Sequence, residues 1–277
     1  MTAMMVKAEG IVLRTTDYGE SNKILTLYTE SFGKIGLMAK GAKKPNSRLF
    51  ACGHVLFYGL CLFNKGRGLG VLYQAESIQP FRSILANIEK SGYAALIVEL
   101  TDRLTEEGKP SPPLYRLLRD ILLLMEKGTE ASVLSAIFSM KLMRLAGIEP
   151  TMDRCARCGR RQGPFRFSLT QGGFLCARCF AADPHAFPMS AATVGLLPLF
   201  KKVPVGRIGR VSVKRQTMKE IEAIIFADYE QNAGIRLRAG RFINQLDRMR
   251  SDMSGAAQPT PKRRETDGTE SQASEDH

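Results

Sequence analysis

The sequence has no tryptophan and only three histidines, His54, His185 and the terminal His277, in 277 residues. Histidine is the side chain whose ordinary pKa suits proton transfer near neutrality, so histidine-based acid–base or nucleophilic chemistry has little to work with. Neither a G-x-S-x-G elbow nor a P-loop occurs, and no clustered carboxylates stand at metal-binding spacing. Gly66-Arg-Gly-Leu-Gly70 is a glycine-rich hairpin turn rather than a dinucleotide fingerprint, since no helical pattern follows it. Long apolar runs are missing too: the richest stretches, 94–100 and 121–125, are short and flanked by charges, whereas a bilayer demands about 20 apolar residues. Residues 1–14 lack an apolar segment followed by small cleavage-site residues, which makes a cytoplasmic location the default expectation. These absences together point away from an enzyme and away from a membrane.

Positive charge is what the chain has in excess. Lys and Arg number 40 against 27 Asp and Glu, for a formal net charge of +13. The segment after Arg250 holds six acids and three bases, so the remainder carries about +16. Such a body attracts phosphate at long range and gains counterion release on binding it. Charge alone does not separate DNA, RNA and anionic lipid. A hydrophobic content of 44% is enough to bury real cores, and the length suggests about two domains.

Periodicity divides the chain. Gly10-Ile-Val-Leu-Arg14, Lys23-Ile-Leu-Thr-Leu-Tyr28, Gly33-Lys-Ile-Gly-Leu-Met-Ala39, Val55-Leu-Phe-Tyr58 and Gly70-Val-Leu-Tyr73 read as five short strands between turns, which predicts a small barrel. From Ile84 the spacing of Ile84, Ile88, Ala95, Leu96, Leu100 and Leu104 predicts one helical face, and helices are predicted over 114–126 and 131–146, the latter stopped by Gly147 and Pro150. Met140 and Met143 read as core gap-fillers. Further helical patterns cover about 190–201, 217–226 and 234–249. Residues 251–277 have almost nothing to bury and are predicted to be a disordered, inert tail.

Four of six cysteines fall in two identical knuckles, Cys155-Ala-Arg-Cys158 and Cys176-Ala-Arg-Cys179, separated by seventeen residues. That spacing predicts a tetrahedral thiolate site for one structural zinc ion, with Phe165-Arg-Phe-Ser-Leu169 and Gly173-Phe-Leu175 as the two strands of a ribbon. With four cysteines and no nearby histidine, zinc would keep no open position for a catalytic water. So few apolar groups lie between the knuckles that metal is expected to supply most of the ribbon's stability. Arg154, Arg157, Arg160, Arg161, Arg166 and Arg178 add a basic surface with no acid between Arg154 and Cys179. Cys52 and Cys61 are left over.

Candidate nucleic-acid-binding residues cluster in the barrel: Lys34, Lys40, Lys43, Lys44 and Arg48 form an acid-free run through a predicted strand and a mobile loop, and Arg14 and Lys23 lie on neighbouring strands. Tyr28, Phe32, Phe50, Phe57, Tyr58, Phe63 and Tyr73 offer rings for base stacking, most of them expected in the core. Two later basic stretches, Lys201 to Lys219 and Arg236 to Arg250, add Lys214, Arg215 and Arg241 as candidates.

The order of these parts resembles one family. The stretch from Gly10 to Lys34 (GIVLRTTDYGESNKILTLYTESFGK), then Lys40-Gly-Ala-Lys-Lys44, then Phe138-Ser-Met-Lys-Leu-Met-Arg-Leu-Ala-Gly-Ile-Glu-Pro150 running into Cys155-x-x-Cys158, is similar to RecO proteins over about residues 5–250. The resemblance implies an α+β multidomain protein: an N-terminal OB-fold β-barrel (1–80), an α-helical domain in two parts (81–152 and 183–250) with an inserted four-cysteine zinc ribbon (153–182), and the tail 251–277. It also implies a non-catalytic DNA repair and recombination mediator that binds single- and double-stranded DNA, anneals complementary strands and, with RecR, helps load RecA onto DNA coated with single-stranded DNA-binding protein. Family members engage that protein's acidic C-terminal tail, and cytoplasmic, nucleoid-associated residence follows. The alternative left open by composition is an OB-fold and zinc-ribbon RNA-binding protein of translation or transcription.

Overall fold

In the computed structural model, which describes residues 4–65, 68–209 and 211–255, five strands close into a barrel. They are β1 (Met4–Tyr18), β2 (Asn22–Thr29), β3 (Gly33–Ala39), β4 (Tyr58–Lys65) and β5 (Gly70–Gln79). The order around the barrel is β1-β2-β3-β5-β4, the five-stranded OB arrangement, with every pair antiparallel except β3 and β5. One long strand serves two neighbours: the first part of β1 pairs with β4 and the second with β2, and a bulge between Val12 and Arg14 turns it. Alternation along the strand splits its side chains between two cores. Val12 joins Val6, Leu25, Leu27, Leu37 and Phe63 inside the barrel, while Ile11 and Leu13 face the helices. Gly10 is required here, because a Cβ would lie 2.8 Å from the Leu27 side chain.

The helical part comprises α1 (Arg82–Leu85), α2 (Ile88–Leu104), α3 (Pro112–Glu126) and α4 (Ala131–Leu142), then β6 (Phe165–Ser168), β7 (Gly173–Cys176) and β8 (Phe187–Pro188), then α5 (Ala191–Lys202), α6 (Arg215–Ala233) and α7 (Arg238–Gly255). Its core is continuous with the outer face of the barrel, taking in Tyr28 and Tyr58. The Glu9 carboxylate accepts hydrogen bonds from the hydroxyls of Tyr58 and Tyr115 across that seam. Met140 and Met143 are buried, as core gap-fillers should be. Among the described residues no helix is long and apolar enough to cross a membrane.

Several element boundaries differ from the sequence expectation. The fourth strand is not 55–58 but Tyr58–Lys65, because Leu56 takes a positive φ of 70° and Val55 to Phe57 turn back onto β1. The single helix expected from Ile84 is broken at Asn87, whose side chain accepts from the Glu89 and Lys90 N–H groups and starts α2. Ile88 and Ala95 are exposed rather than core, since α2 is buried on several sides and these two positions face an open hollow with Phe242. The helix α4 ends at Leu142, short of 146. Gly234, in the left-handed conformation at φ 67°, ends α6, so the last helix starts at Arg238 rather than Gly234. That last helix runs to Gly255, past the expected boundary at 250, with no Gly or Pro between Arg241 and Ser254 to stop it. Gly66 and Arg67 of the glycine-rich turn, Arg210 and the tail beyond Gly255 lie outside the described residues.

Candidate metal centre and nucleic-acid interface

The cysteine module is built by backbone hydrogen bonds before any metal is considered. Thr151 bridges to the β7 hairpin, its N–H donating to Gly172 O at 2.9 Å and its carbonyl accepting from Phe174 N at 2.8 Å. Gly173 must be glycine, because a Cβ would sit 2.1 Å from the Thr151 carbonyl. The first knuckle closes through Cys155 N to Arg160 O (2.7 Å) and Gly159 N to Cys155 O (2.9 Å), with Gly159 left-handed at φ 74°. These turns bring the sulfurs of Cys155, Cys158, Cys176 and Cys179 within 4.8 Å of one another. Cys158 Sγ and Cys176 Sγ are 3.6 Å apart. Four Zn–S bonds of about 2.3 Å at tetrahedral angles separate sulfurs by about 3.8 Å, so the spacing fits a cation at the centre.

The electrostatics of the thiols agree. Burial works against a Cys155 thiolate, but the N–H groups of Cys176, Cys158 and Arg157 outweigh it and bring the thiol down to about 6. Cys179 is pushed up to about 12 by desolvation and by hydrogen bonding to the other three sulfurs. Four sulfurs this close cannot all ionise unaided; a dication allows it. The chemistry of the donor set is therefore that of a soft-metal site with all four positions filled by protein. Asp183 closes the module, held below the usual carboxylate range first by the Ser168 hydroxyl and also by the His185 N–H and Thr170.

One expectation about this module changes. Phe165, Phe167, Phe174 and Leu175 are buried in the same core as α2 to α6, with Phe165 stacked on Phe174 at 5.3 Å between centroids. The ribbon therefore leans on the helical domain and does not depend on metal alone. Cys52 and Cys61 lie inside the barrel, where burial pushes their thiols up to about 11 and 12.

The ten candidate nucleic-acid contacts separate into two groups. Lys34 is 16% exposed and donates to the Asp102 carbonyl and to Asp102 Oδ1 (3.1 Å), so it ties β3 to α2. Arg14 meets the same carboxylate at 3.6 Å. Lys23 is 18% exposed and donates to Gly53 O at 2.9 Å, with Asp17 at 3.8 Å. Lys43 pairs with Asp17 at 3.1 Å, and Arg215 holds Glu89 at 2.8 Å and also Asp247. The other five, Lys40, Lys44, Arg48, Lys214 and Arg241, are exposed. None of these five has a carboxylate partner among the described residues.

The 40–48 loop is an ordered cap rather than a mobile segment. Gly41 N donates to Asn22 Oδ1 at 2.9 Å and Lys43 N to Ser21 O at 3.0 Å, which seats it on the β1–β2 turn. Successive turns follow through Lys44, Ser47 and Phe50, while Ala42 and Leu49 anchor it in the barrel core. Lys40, Lys44 and Arg48 are thereby presented from a fixed scaffold. Of the seven candidate rings, Tyr28, Phe57, Tyr58 and Phe63 are core, Phe32 is half-buried, and Phe50 and Tyr73 are 38% and 48% exposed. Tyr18, 54% exposed beside Gly19 at the same turn, was not among them. The signal that could have found it is an aromatic at the last position before a turn glycine.

Two further hollows lie against the helices. One, between β1, α2 and α7, is lined by Val55, Ile88 and Phe242, and its Arg14 and Arg103 are already paired with Asp102 and Glu99. The other, about 420 Å³, lies between α3 and the end of α4 and is lined by Pro113, Leu114, Leu117, Leu142 and Leu145, with Lys141 and Arg144 at its edge.

Comparison with known proteins agrees with this arrangement. The family model described as Recombination protein O N terminal matches residues 1–81, and that described as Recombination protein O C terminal matches residues 85–241. The chain is 44% identical over 252 residues to the DNA repair protein RecO of Bacillus pumilus, covering 91% of this chain and 98% of the relative. It is 43% identical to the proteins of that name from Bacillus subtilis, over 247 residues, and Halalkalibacterium halodurans, over 246, each covering 89% of this chain and 97% of the relative.

Proposed function

This chain belongs to the RecO family of DNA repair proteins, and from that premise we propose that it is a non-catalytic mediator that binds single- and double-stranded DNA, anneals complementary strands and, with RecR, helps load RecA. The observation that carries the reading is the rigid loop seated on the β1–β2 turn, which offers Lys40, Lys44 and Arg48 without carboxylate partners beside the exposed rings of Tyr18 and Phe50. The β1–β2 loop and the barrel face beside it are where OB folds take oligonucleotides, cations tracking the backbone while rings stack on bases without reading sequence. Lys214 and Arg241, on α6's start and α7, extend the basic surface, and the five cations already paired or tethered are secondary contacts. The relatives' names favour DNA over the RNA-directed alternative.

The metal of the cysteine site is proposed to be a single zinc ion with a structural role. Cys155, Cys158, Cys176 and Cys179 would hold it, and it would supply the positive charge that lets four neighbouring thiols ionise. The partition at 80, 152, 182 and 250 is kept as the proposed domain scheme. For the acidic, apolar C-terminal tail of single-stranded DNA-binding protein, the hollow between α3 and α4 is the better of the two, because four leucines line it with Lys141 and Arg144 at its edge and no carboxylate among its lining residues, whereas Glu99 and Asp102 line the other hollow and would repel an acidic tail. The setting proposed for all of this is the cytoplasm, at the nucleoid.

The test is the lag before RecA hydrolyses ATP on circular DNA coated with single-stranded DNA-binding protein. Addition of this protein with RecR is expected to shorten the lag. An unchanged lag, under conditions where the protein is bound to the DNA, would contradict the proposal.

A further inference from the structure

We propose that the cysteine module carries a second strand-binding surface, in which Arg157, Arg160, Arg161 and Arg178 grip the phosphates of a single DNA strand other than the one held at the barrel. The inference deepens the mediator reading above and rests on it.

The first support is how arginines are used in the molecule. Outside the module Arg14, Arg103, Arg116, Arg119, Arg144, Arg215 and Arg236 each hold a carboxylate, seven of the thirteen arginines described there with their side chains, the other six being Arg48, Arg82, Arg207, Arg238, Arg241 and Arg248. In the module only Arg154 does so, with Asp153 at 3.9 Å, while Arg166 lies over the Phe180 ring at 4.5 Å. Arg157, Arg160, Arg161 and Arg178 are exposed and have no carboxylate partner among the described residues. A four-thiolate site holding a dication is doubly negative and is offset by two cations, so four free guanidinium groups exceed what the centre needs.

Their arrangement is the second. Arg157 and Arg178 occupy the same place in the two knuckles, the residue before the second cysteine of each Cys-Ala-Arg-Cys, and so flank the sulfur cluster in matching fashion. Arg160 and Arg161 with Gln162 and Gly163 line an open hollow of about 520 Å³ on the following turn. No lysine occurs in the module, and guanidinium forks match phosphate oxygens in pairs where ammonium groups act as points of charge.

Third, the surface lacks what a protein partner would need. The exposed large apolar side chains flanking the module in sequence are Leu145 and Leu199, and none lies between them among the described residues. A tail with apolar anchors has nothing to fill there, whereas a phosphate backbone asks only for placed cations. The module is held on the helical side, through Thr151 and through Asn232 Nδ2 to Leu169 O at 3.2 Å, while the barrel loop sits on the β1–β2 turn. Two such surfaces on different elements let one molecule hold two strands at once, which annealing requires.

The test is a bridging assay with the full chain: a tethered oligonucleotide and a labelled, non-complementary one, with capture of the label as the readout. The wild type is expected to bridge them. The variant R157Q/R160Q/R161Q/R178Q is expected to capture roughly tenfold less, about the loss of one charge-assisted hydrogen bond, while still binding a single oligonucleotide at the barrel. Because substitutions beside the thiolates can disturb the knuckles, R160Q/R161Q is measured in parallel with metal content as control. It alters only the turn and is expected to lower bridging several-fold with metal content unchanged. Normal bridging by both variants overturns the second surface and leaves the mediator reading standing, whereas a wild type that binds no DNA overturns both.

Discussion

Removing Lys40, Lys44 and Arg48 together, each to alanine, is the sharpest perturbation of the barrel surface. All three are exposed and carry no carboxylate partner among the described residues, and the loop that bears them is held by backbone hydrogen bonds and by Ala42 and Leu49. The substitution should therefore leave the thermal midpoint nearly unchanged. Each phosphate contact on a single strand contributes about 0.7 to the slope of log affinity against log salt, so losing three lowers the slope by about 2. Over a fourfold rise in salt, from about 50 to 200 mM, those contacts account for about a 20-fold fall in affinity, which the variant would no longer show. Because the chain has no tryptophan, the label belongs on the oligonucleotide, read by fluorescence anisotropy across a salt series. The counterpart is Lys23→Met, which removes a cation engaged with Gly53 and Asp17 and should cost stability while leaving most of the slope. A triple variant with an unchanged midpoint and an unchanged slope would refute the assignment of this loop.

Asp102→Asn should lower the thermal midpoint, because it leaves Lys34 and Arg14 without their shared carboxylate at the barrel–helix joint; a cost of about 1–3 kcal/mol is expected from denaturant unfolding. Glu222 is buried, and burial raises its pKa above the usual carboxylate range despite the hydrogen bond it accepts from Tyr93 at 2.7 Å. Its folded pKa exceeds the unfolded one, so it costs stability above the folded pKa and the cost vanishes as pH falls to the unfolded value. Tyr93→Phe removes the donor that favours the ionised form, so it should destabilise by about 2 kcal/mol near pH 7.5 and by less near pH 5 in paired unfolding curves. Cys158→Ser, or chelation, should release one metal equivalent measurable by a colorimetric indicator. The helical circular dichroism should largely survive, because Phe165, Phe167 and Phe174 keep the ribbon docked in the helical core.

Much of the fold was legible where chemistry is local. Period-two alternation marked β3, whose Gly33, Ile35, Leu37 and Ala39 face inward, and the paired Cys-Ala-Arg-Cys knuckles announced a site that the backbone assembles as expected. The boundaries that escaped are set by residues far away in sequence. Glu99 on α2 accepts the N–H groups of Arg238 and Ala239 at 3.1 and 3.0 Å and so starts α7, and Glu126 does the same for α1 through Ser83 and Ile84 at 3.0 Å each. A carboxylate at a helix start suits the dipole, but no window of sequence around residue 238 contains Glu99. The same holds for the charged candidates: an acid-free run identified Lys34 to Arg48, yet the partners of Lys34 and Lys43 come from Asp102 and Asp17, outside that run. Local charge counts find a basic segment; only the folded chain separates the cations that hold it together from those left for a ligand.

The most direct test of the central claim is annealing of two complementary labelled oligonucleotides, both coated with their cognate single-stranded DNA-binding protein, without nucleotide and across a salt series. The account predicts rapid, protein-dependent annealing that fades as salt rises and that slows in the Lys40, Lys44 and Arg48 variant. Tight binding of both strands with no gain in annealing rate at any salt concentration would contradict it.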